Sequence, residues 1–501
     1  MKPSHDLFHL IRAMKKSEKR YFKLSVSVQK GEKNYIRLFN AIDGQKEYNE
    51  KKIAKKFENE KFARQLPVAK NALYGLVLKS LRAYHAGNTS ETDLYEQLHE
   101  ARILYEKGLY GQCRNRLSKA KLAAYRLEKH IQILDILKCE KDLARAESYA
   151  GKTNNNPDKI LQEEKKVLDT YGNLCEFICF DSKIFVMHLN HLFTRSKREQ
   201  KIYDLLVNKS LFRDEKNALS FQARIYYHEA HGFYLLSGSD FTRSYGHYKK
   251  LLSLLESNPL MLKENIRNYT ATLHNITLVL THLRKYREFM RYIKKLRGLP
   301  ERFEKELSED TKYRIFIRSY NLEYAMLLQK KDYARAKALI SLIENGLGKF
   351  KRRVDKVNEL LLIYKYACTY FETGEYSKSL HWINRILNDP DTGSMPDIHC
   401  FARILNLIVH YELGNTDLLE YIVKSTYRFL YKRKRLYKFE TSVLNFIKNK
   451  LPKVNTGEEL AEAFRELRAE LKKILKDPYE KQVLEYFDFI SWLDRKALDR
   501  A

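Results

Sequence analysis

Two clusters of side chains hold the right elements for metal chemistry, and neither has the spacing. His228-Glu229-Ala230-His231 joins two imidazoles to a carboxylate, the ingredients of a zinc protease. In that chemistry the histidines stand four apart on one helix face, so that both reach the metal while the glutamate acts as base. Here they stand three apart with no third ligand in view, which reads as a pair of buried or groove histidines. Cys175 and Cys179 are four apart, on one face of a helix, and His188 and His191 follow. Thiolate and imidazole are the usual zinc ligands. The spacing matches no common zinc module, however, and Leu174, Phe177, Ile178 and Phe180 surround the thiols, as expected of small buried hydrophobes. No glycine-rich phosphate loop, nucleophile elbow or dinucleotide fingerprint occurs. The expectation is a protein with no catalytic residue, no cofactor and no metal.

Polyanion chemistry is better represented. The chain carries 93 Lys and Arg against 63 Asp and Glu, a net +30, an excess that attracts nucleic acid, acidic protein or anionic lipid. From Lys424 to Lys453 there are ten basic residues and one acid. Within it, Tyr427 to Glu440 interleaves aromatics with Arg428, Lys432, Arg433, Lys434, Arg435 and Lys438. Aromatic rings there would stack on unpaired bases while the cations hold phosphates. The competing reading is a helix that buries Phe429, Leu430, Leu436 and Phe439 and leaves its charges solvated. A second concentration, residues 1–87, has 20 basic residues against 8 acids. There YNEKKIAKKF, a polar connection and LPVAKNALYGLVLKSLRAY fit a helix-turn-helix presenting Lys61, Arg64, Gln65, Lys70 and Asn71 to nucleic acid. A plain helical cap on the repeats that follow accounts for the same residues.

Helices must position all of these. The chain has only 18 Gly and 9 Pro in 501 residues, against usual shares of about 7% and 5%, which excludes a many-stranded sandwich or barrel. The prolines fall beside short polar stretches such as ESNPL and NDPDTGSMPD, so they punctuate helices. Between them apolar residues recur at three and four, as in Leu66, Ala69, Leu73, Val77, Leu81 and Tyr84, the period of a helix with one buried face. No secretory leader and no membrane span are expected, and six scattered cysteines fit reduced thiols in a cytoplasm. Five segments share a turn in which a polar or Gly pair precedes an aromatic and a small residue usually follows three later: EKGLYGQC, SGSDFTRS, LRKYREF, QKKDYARA and ETGEYSKS, with ELGNTDLL a weaker sixth. A helix, a tight turn and an antiparallel helix would produce each one.

Leu361 to Pro390 resembles a tetratricopeptide repeat, with Ala367, Tyr370, Gly374, Tyr376, Leu380, Ile386 and Pro390 near the positions that family fills with small, aromatic, Gly, Tyr, apolar, apolar and Pro. The turn aromatics Phe241, Tyr286, Tyr333 and Tyr376 are 45, 47 and 43 residues apart, longer than the family's period of about 34. HEAT or armadillo repeats have a closer period but lack this turn. The resemblance covers about Leu94 to Leu430 and implies an all-α, irregular tetratricopeptide-like solenoid whose first helices line a concave groove for a protein partner. Carried over by position, the groove candidates are Tyr226, Glu229, His274, Arg318, Asn321 and Tyr364, each of which is otherwise an ordinary solvated side chain. The domain organisation expected is a basic helical domain at 1–88, repeats at 89–455 and a helical cap at 456–501, in which Phe487, Ile490 and Trp492 pack on the last repeat. The function expected is non-catalytic: an intracellular scaffold or adaptor for a protein partner, an acidic one suiting the charge, or, in the alternative, a nucleic-acid-binding regulator using residues 1–88 or the 427–438 patch.

Overall fold

A computed structural model of the chain describes residues 5–27, 33–86, 90–149, 157–190, 192–304, 306–348, 350, 355–454 and 456–498. Among these every regular element is a helix and there is no strand. The chain divides into two compact units, Met1–Val167 and Leu168–Ala501, the boundary falling inside one long helix.

The first unit opens with α1 (Asp6–Ala13), α2 (Lys16–Ser27), α3 (Lys33–Asp43), α4 (Glu50–Lys56) and α5 (Leu66–Tyr84). Their apolar stripes close on a core where Phe22 stacks on Phe39 at 4.6 Å, with Ile11, Leu73 and Val77 in the same cluster. A separate core, Leu94 to Val167, is built by α6 (Ser90–Glu106), α7 (Tyr110–Arg126), α8 (His130–Tyr149) and the first turns of α9 (Pro157–Asn190).

The second unit continues α9 into α10 (Lys197–Val207) and the single turn α11 (Ser210–Arg213). Five helix pairs follow. They are α12 (Phe221–Ser237) with α13 (Phe241–Glu256), and, after α14 (Pro259–Glu264), α15 (Ile266–His282) with α16 (Tyr286–Arg297). After α17 (Leu299–Arg302) come α18 (Glu309–Gln329) with α19 (Tyr333–Leu347), α20 (Lys356–Glu372) with α21 (Tyr376–Leu387), and α22 (Pro396–Glu412) with α23 (Thr416–Lys432). Each first helix packs on its own second helix, and each of the first four also packs on the first helix of the next pair. The unit also contains α24 (Lys438–Asn445), α25 (Gly457–Ile474) and α26 (Phe489–Leu498).

The shared turn has a common backbone cause. Two residues before the aromatic in each of the first four pairs the chain enters the left-handed region, at Ser239, Arg284, Lys331 and Gly374 (φ 61°, 55°, 56° and 76°). The next N–H then reaches back to a carbonyl five residues earlier: Asp240 to Leu235, Lys285 to Leu280, Asp332 to Leu327 and Glu375 to Tyr370, all at 2.8–3.1 Å. This closes each first helix and aims the chain into the second. Asp240 and Asp332 then cap the second helix, accepting from the Arg243 and Arg335 amides at 3.0 and 3.2 Å. Three residues past the aromatic, the Ser244 and Ser379 hydroxyls donate at 2.8 Å to the carbonyls of Gly232 and Ala367 on the first helix. A Cβ on Gly232 would meet the Tyr248 ring at 2.4 Å, so only glycine allows that approach.

The C-terminal elements reach further than the last pair. Ser239 donates to Gln482 at 3.0 Å, His282 lies 3.1 Å from Glu485, and Lys331 donates to Ser491 at 3.3 Å. Arg495 bonds Glu372 at 2.9 Å, while the Trp492 indole and Lys496 both reach Glu412 at 2.7 Å. One short stretch thus touches the end of the first helix, or the turn after it, in all five pairs. Phe487 and Trp492 are buried, as their apolar character leads one to expect, and Ile490 is half-covered.

Beside this stretch lies a buried ionic cluster. Arg195 is 5% exposed and holds Glu440 through both terminal nitrogens at 2.8 and 3.3 Å, with Glu480 at 3.5 Å. Arg435 pairs with Glu199 at 3.3 Å and Asp397 at 3.4 Å. Tyr437 donates to Glu199 and Tyr486 to Asp397.

Left-handed backbone costs a side-chain-bearing residue roughly 1 kcal/mol or more, which sets opposite outcomes at two equivalent turns. Arg284→Gly should stabilise by about 0.5–1 kcal/mol, and Gly374→Ala, where a Cβ meets no neighbour within 4 Å, should destabilise by about 1 kcal/mol. Urea unfolding of the two variants checks the signs.

Candidate functional site

The first helices are buried on most sides, and one polar stripe remains. In α15, Leu273 and Ile276 are buried while Asn268, Ala271, His274 and Leu278 are half-covered, a three-to-four spacing that points to one face. The corresponding stripes of α9, α12, α15, α18 and α20 form a seam. At one end Asp181 and Glu229 face each other's charge, deep enough that burial pushes the Glu229 carboxyl up to about 7 and raises Asp181 as well. Asn268 donates to Glu229 at 3.4 Å, and one oxygen of Asp181 is buried with no partner. Burial and these two carboxylates also raise the Tyr226 hydroxyl.

Midway, burial and then Arg318 hold His274 down to about 4, so its imidazole is neutral, with Asn275 at 3.1 Å. The Arg318 Nε lies 3.5 Å from a buried Asp355 oxygen without a hydrogen bond between them. Asp355 has a second task, capping α20 by accepting from the Asn358 amide. At the far end Asn321 donates to Asn358 at 2.9 Å, and Lys365 donates to the Asn321 carbonyl at 3.2 Å. Desolvation pulls Lys365 down to about 7. The seam is therefore lined by two carboxyl groups raised by burial, a neutral imidazole, the Arg318–Asp355 pair and a lysine lowered by burial, a polar lining suited to hydrogen-bonding an extended segment.

Of the six residues expected to face a groove, Tyr226, Glu229, His274 and Arg318 lie along this seam. Asn321 is 3% exposed and occupied by Asn358 and Lys365. Tyr364 is a correction: it is 3% exposed and packed in the apolar cluster of α20 and α22, because its side of α20 meets the core. Sequence reasoning missed Asp181, Asp355 and Lys365. Lys365 carried a signal, a lone cation inside the apolar run LLLIYKYACTYF, whereas Asp181 lies in a long helix with no turn to set its phase.

The basic-aromatic run is split. Leu430 and Phe439 are buried and Phe429 is clamped by the Arg403 and Arg433 guanidinium groups at 4.0 and 3.7 Å from its ring centre. Arg433 also donates to Thr392 at 2.7 Å. Arg435 is not a surface cation: it is 5% exposed, inside the ionic cluster, because the left-handed Lys434 turns the chain inward. Arg428, Lys432, Lys434 and Lys438 are exposed and have no carboxylate partner among the described residues. On α23, Tyr421, Tyr427 and Tyr431 are also exposed (75, 46 and 67%), the last two with stacked rings. In the first unit, Arg64, Gln65 and Asn71 are exposed. Lys70 is buried, bonded to Glu50 at 2.7 Å and set over the Tyr48 ring, so it is not presented. The side chain of Lys61 lies outside the described residues.

The metal candidates also resolve. Cys175 and Cys179 are exposed, not buried, because Leu174, Phe177 and Phe180 take the inner face of α9. His188 is buried against Ser237, and His191 lies outside the described residues. His228 and His231 are buried, His231 stacking on His247 and lying 2.8 Å from the Phe212 carbonyl, while a ring nitrogen of His228 lies 3.2 Å from one of His247. Among the described residues no three His, Cys, Asp or Glu are grouped to hold a metal ion, and no helix is long and apolar enough to cross a membrane. No family model, curated protein or solved structure matches the chain.

Glu229 supplies a pH test. An unfolded glutamate titrates near 4.3, so between about that pH and the folded value near 7 the folded chain holds a proton that the unfolded chain releases. Its contribution to stability therefore falls as pH rises through this window. Glu229→Gln removes that loss, and the variant should gain on wild type by about 2 kcal/mol between pH 5 and pH 8, read from urea midpoints at both values.

Proposed function

We propose that this chain is a non-catalytic binding protein in which an irregular, tetratricopeptide-like solenoid of helix pairs holds an extended segment of a protein partner along the seam of its first helices. The observation that carries the reading is the polar lining there, in which Asp181 Oδ1 has no hydrogen-bond partner and Arg318 Nε meets Asp355 Oδ2 only as an ion pair at 3.5 Å. Buried polar groups are normally satisfied, and a bound backbone supplies both donors and acceptors. In this reading residues 1–88 form a basic helical domain and 456–501 a cap that braces the array.

The test is affinity purification of the tagged chain from the cells that make it, with nuclease present. A protein retained by wild type should fall at least about tenfold, or 1.4 kcal/mol, with Tyr226→Ala/Arg318→Ala. Identical recovery with that variant would overturn the reading.

A second reading concerns α23, where exposed Tyr421, Tyr427 and Tyr431 flank Arg428 and Lys432. Rings and cations in this arrangement suit a single-stranded nucleic acid. Changing Arg428, Lys432, Lys434 and Lys438 to Gln should weaken binding and flatten the slope of log affinity against log salt by about 0.7 for each phosphate no longer held. Equal binding by wild type and variant, or none by either, would discard this role.

A further inference from the structure

A surface cleft of about 570 Å³ opens where α16 and α19, the second helices of neighbouring pairs, both pack on the C-terminal half of α18. Its size falls in the roughly 300–1,000 Å³ range of ligand pockets. The floor is Met326 and Leu327, and the walls carry Met290 and Leu342, each 47% exposed. With the floor they make one continuous apolar trough. Methionine adds the capacity to remould around an incoming side chain.

The rim decides what fits. Arg287 and Lys330 have no carboxylate partner among the described residues, the Lys330 ammonium lying 4.5 Å from the centre of the Tyr286 ring. Arg335 has only Asp332, at 3.5 Å and with its own side chain 80% exposed. The one rim carboxylate, Glu323, is already taken by Arg297 at 2.6 Å. An apolar trough bordered by cations complements a helix with an apolar stripe flanked by acids, the helix-in-groove mode of recognition. We infer that this cleft docks an acidic amphipathic helix of a protein partner, apolar side chains on Met326 and Leu327 and carboxylates against Arg287, Lys330 and Arg335. The cleft lies between second helices and the seam on first helices, so this docking stands independently of the seam reading.

Methionine methyl resonances of the full chain provide the test, because two of its seven methionines, Met290 and Met326, line the cleft. The probe is a synthetic helical peptide of about four turns with Leu at i, i+3, i+4 and i+7 and Glu elsewhere, and the control has Lys in place of Glu. The acidic peptide should shift Met290 and Met326, leave Met14, Met187, Met261 and Met395 in place, and bind at least about tenfold more weakly to Arg287→Glu/Lys330→Glu. Leu342→Glu, a change on the exposed wall, should abolish the shifts while the other methionine signals stay at their wild-type positions. Tyr226→Ala/Arg318→Ala should bind the peptide like wild type, which separates the cleft from the seam. Unmoved Met290 and Met326 at millimolar peptide would overturn the proposal. So would equal binding of acidic and basic peptides, or wild-type affinity in the Leu342→Glu variant.

Discussion

Two guanidinium groups buried among four carboxylates hold together parts of the second unit that are far apart in sequence. Arg195 and Glu440 are separated by 245 residues, Arg435 and Glu199 by 236. Taking such charges out of water is costly, and each is tolerated because its partners come with it. Removing one partner would strand a buried charge at a cost of about 3–5 kcal/mol, so the cluster accepts one arrangement of the segments that meet there and rejects neighbouring ones. Glu480 makes the dependence tighter by accepting from the Lys438 and Phe439 amides, which fixes the entry to α24 relative to the C-terminal stretch. With that stretch placed, its side chains find Ser239, His282, Lys331, Glu372 and Glu412 in turn.

This bracing lets the seam be polar. A stripe with unmet hydrogen bonds gains nothing from collapse, and the apolar contacts between helix pairs act on the other faces. The ends of the first helices are held from outside the seam by Gln482, Glu485, Ser491, Arg495 and Lys496. Arg495 and Lys496 place cations at carboxylates on the last turns of α20 and α22, where the helix dipole also favours positive charge. The seam is then free to keep Asp181 and Glu229 facing each other without an ion pair of their own.

Local features are readable in the amino-acid sequence and remote ones are not. The paired-helix turn shows because its chemistry sits within eight residues: a left-handed residue, a capping acid, an aromatic and an inward-facing residue three later. Helix content shows for the same reason. Arg435 reads as one of four surface cations because Lys432 to Arg435 look alike in sequence; its carboxylates lie at 199 and 397, and no local pattern announces them. Lys70 misleads in the same way, its partner Glu50 being on another helix. The apolar neighbours of Cys175 and Cys179 suggest buried thiols, yet those neighbours occupy the inner face and leave the thiols outside. The wide reach of Gln482 to Lys496 is hidden too, since its partners are spread over five separate helix pairs and share no pattern.

The order in which the chain is made gives the C-terminal stretch a further consequence. Ser239 and Gln482 are 243 residues apart, so at about 5–20 residues per second the first turn waits roughly 10–50 s on the ribosome for the residue that ties it. Until Glu440 and then Glu480 are made, late in that interval, Arg195 has neither, and the pairs can form their local turns but not their joint brace. Completion of the second unit therefore waits for its last segment to be made, and a chain that stops short of Glu480 is marked by a bare guanidinium and open apolar faces. Those are the features by which chaperones and proteases distinguish an unfinished chain from a finished one.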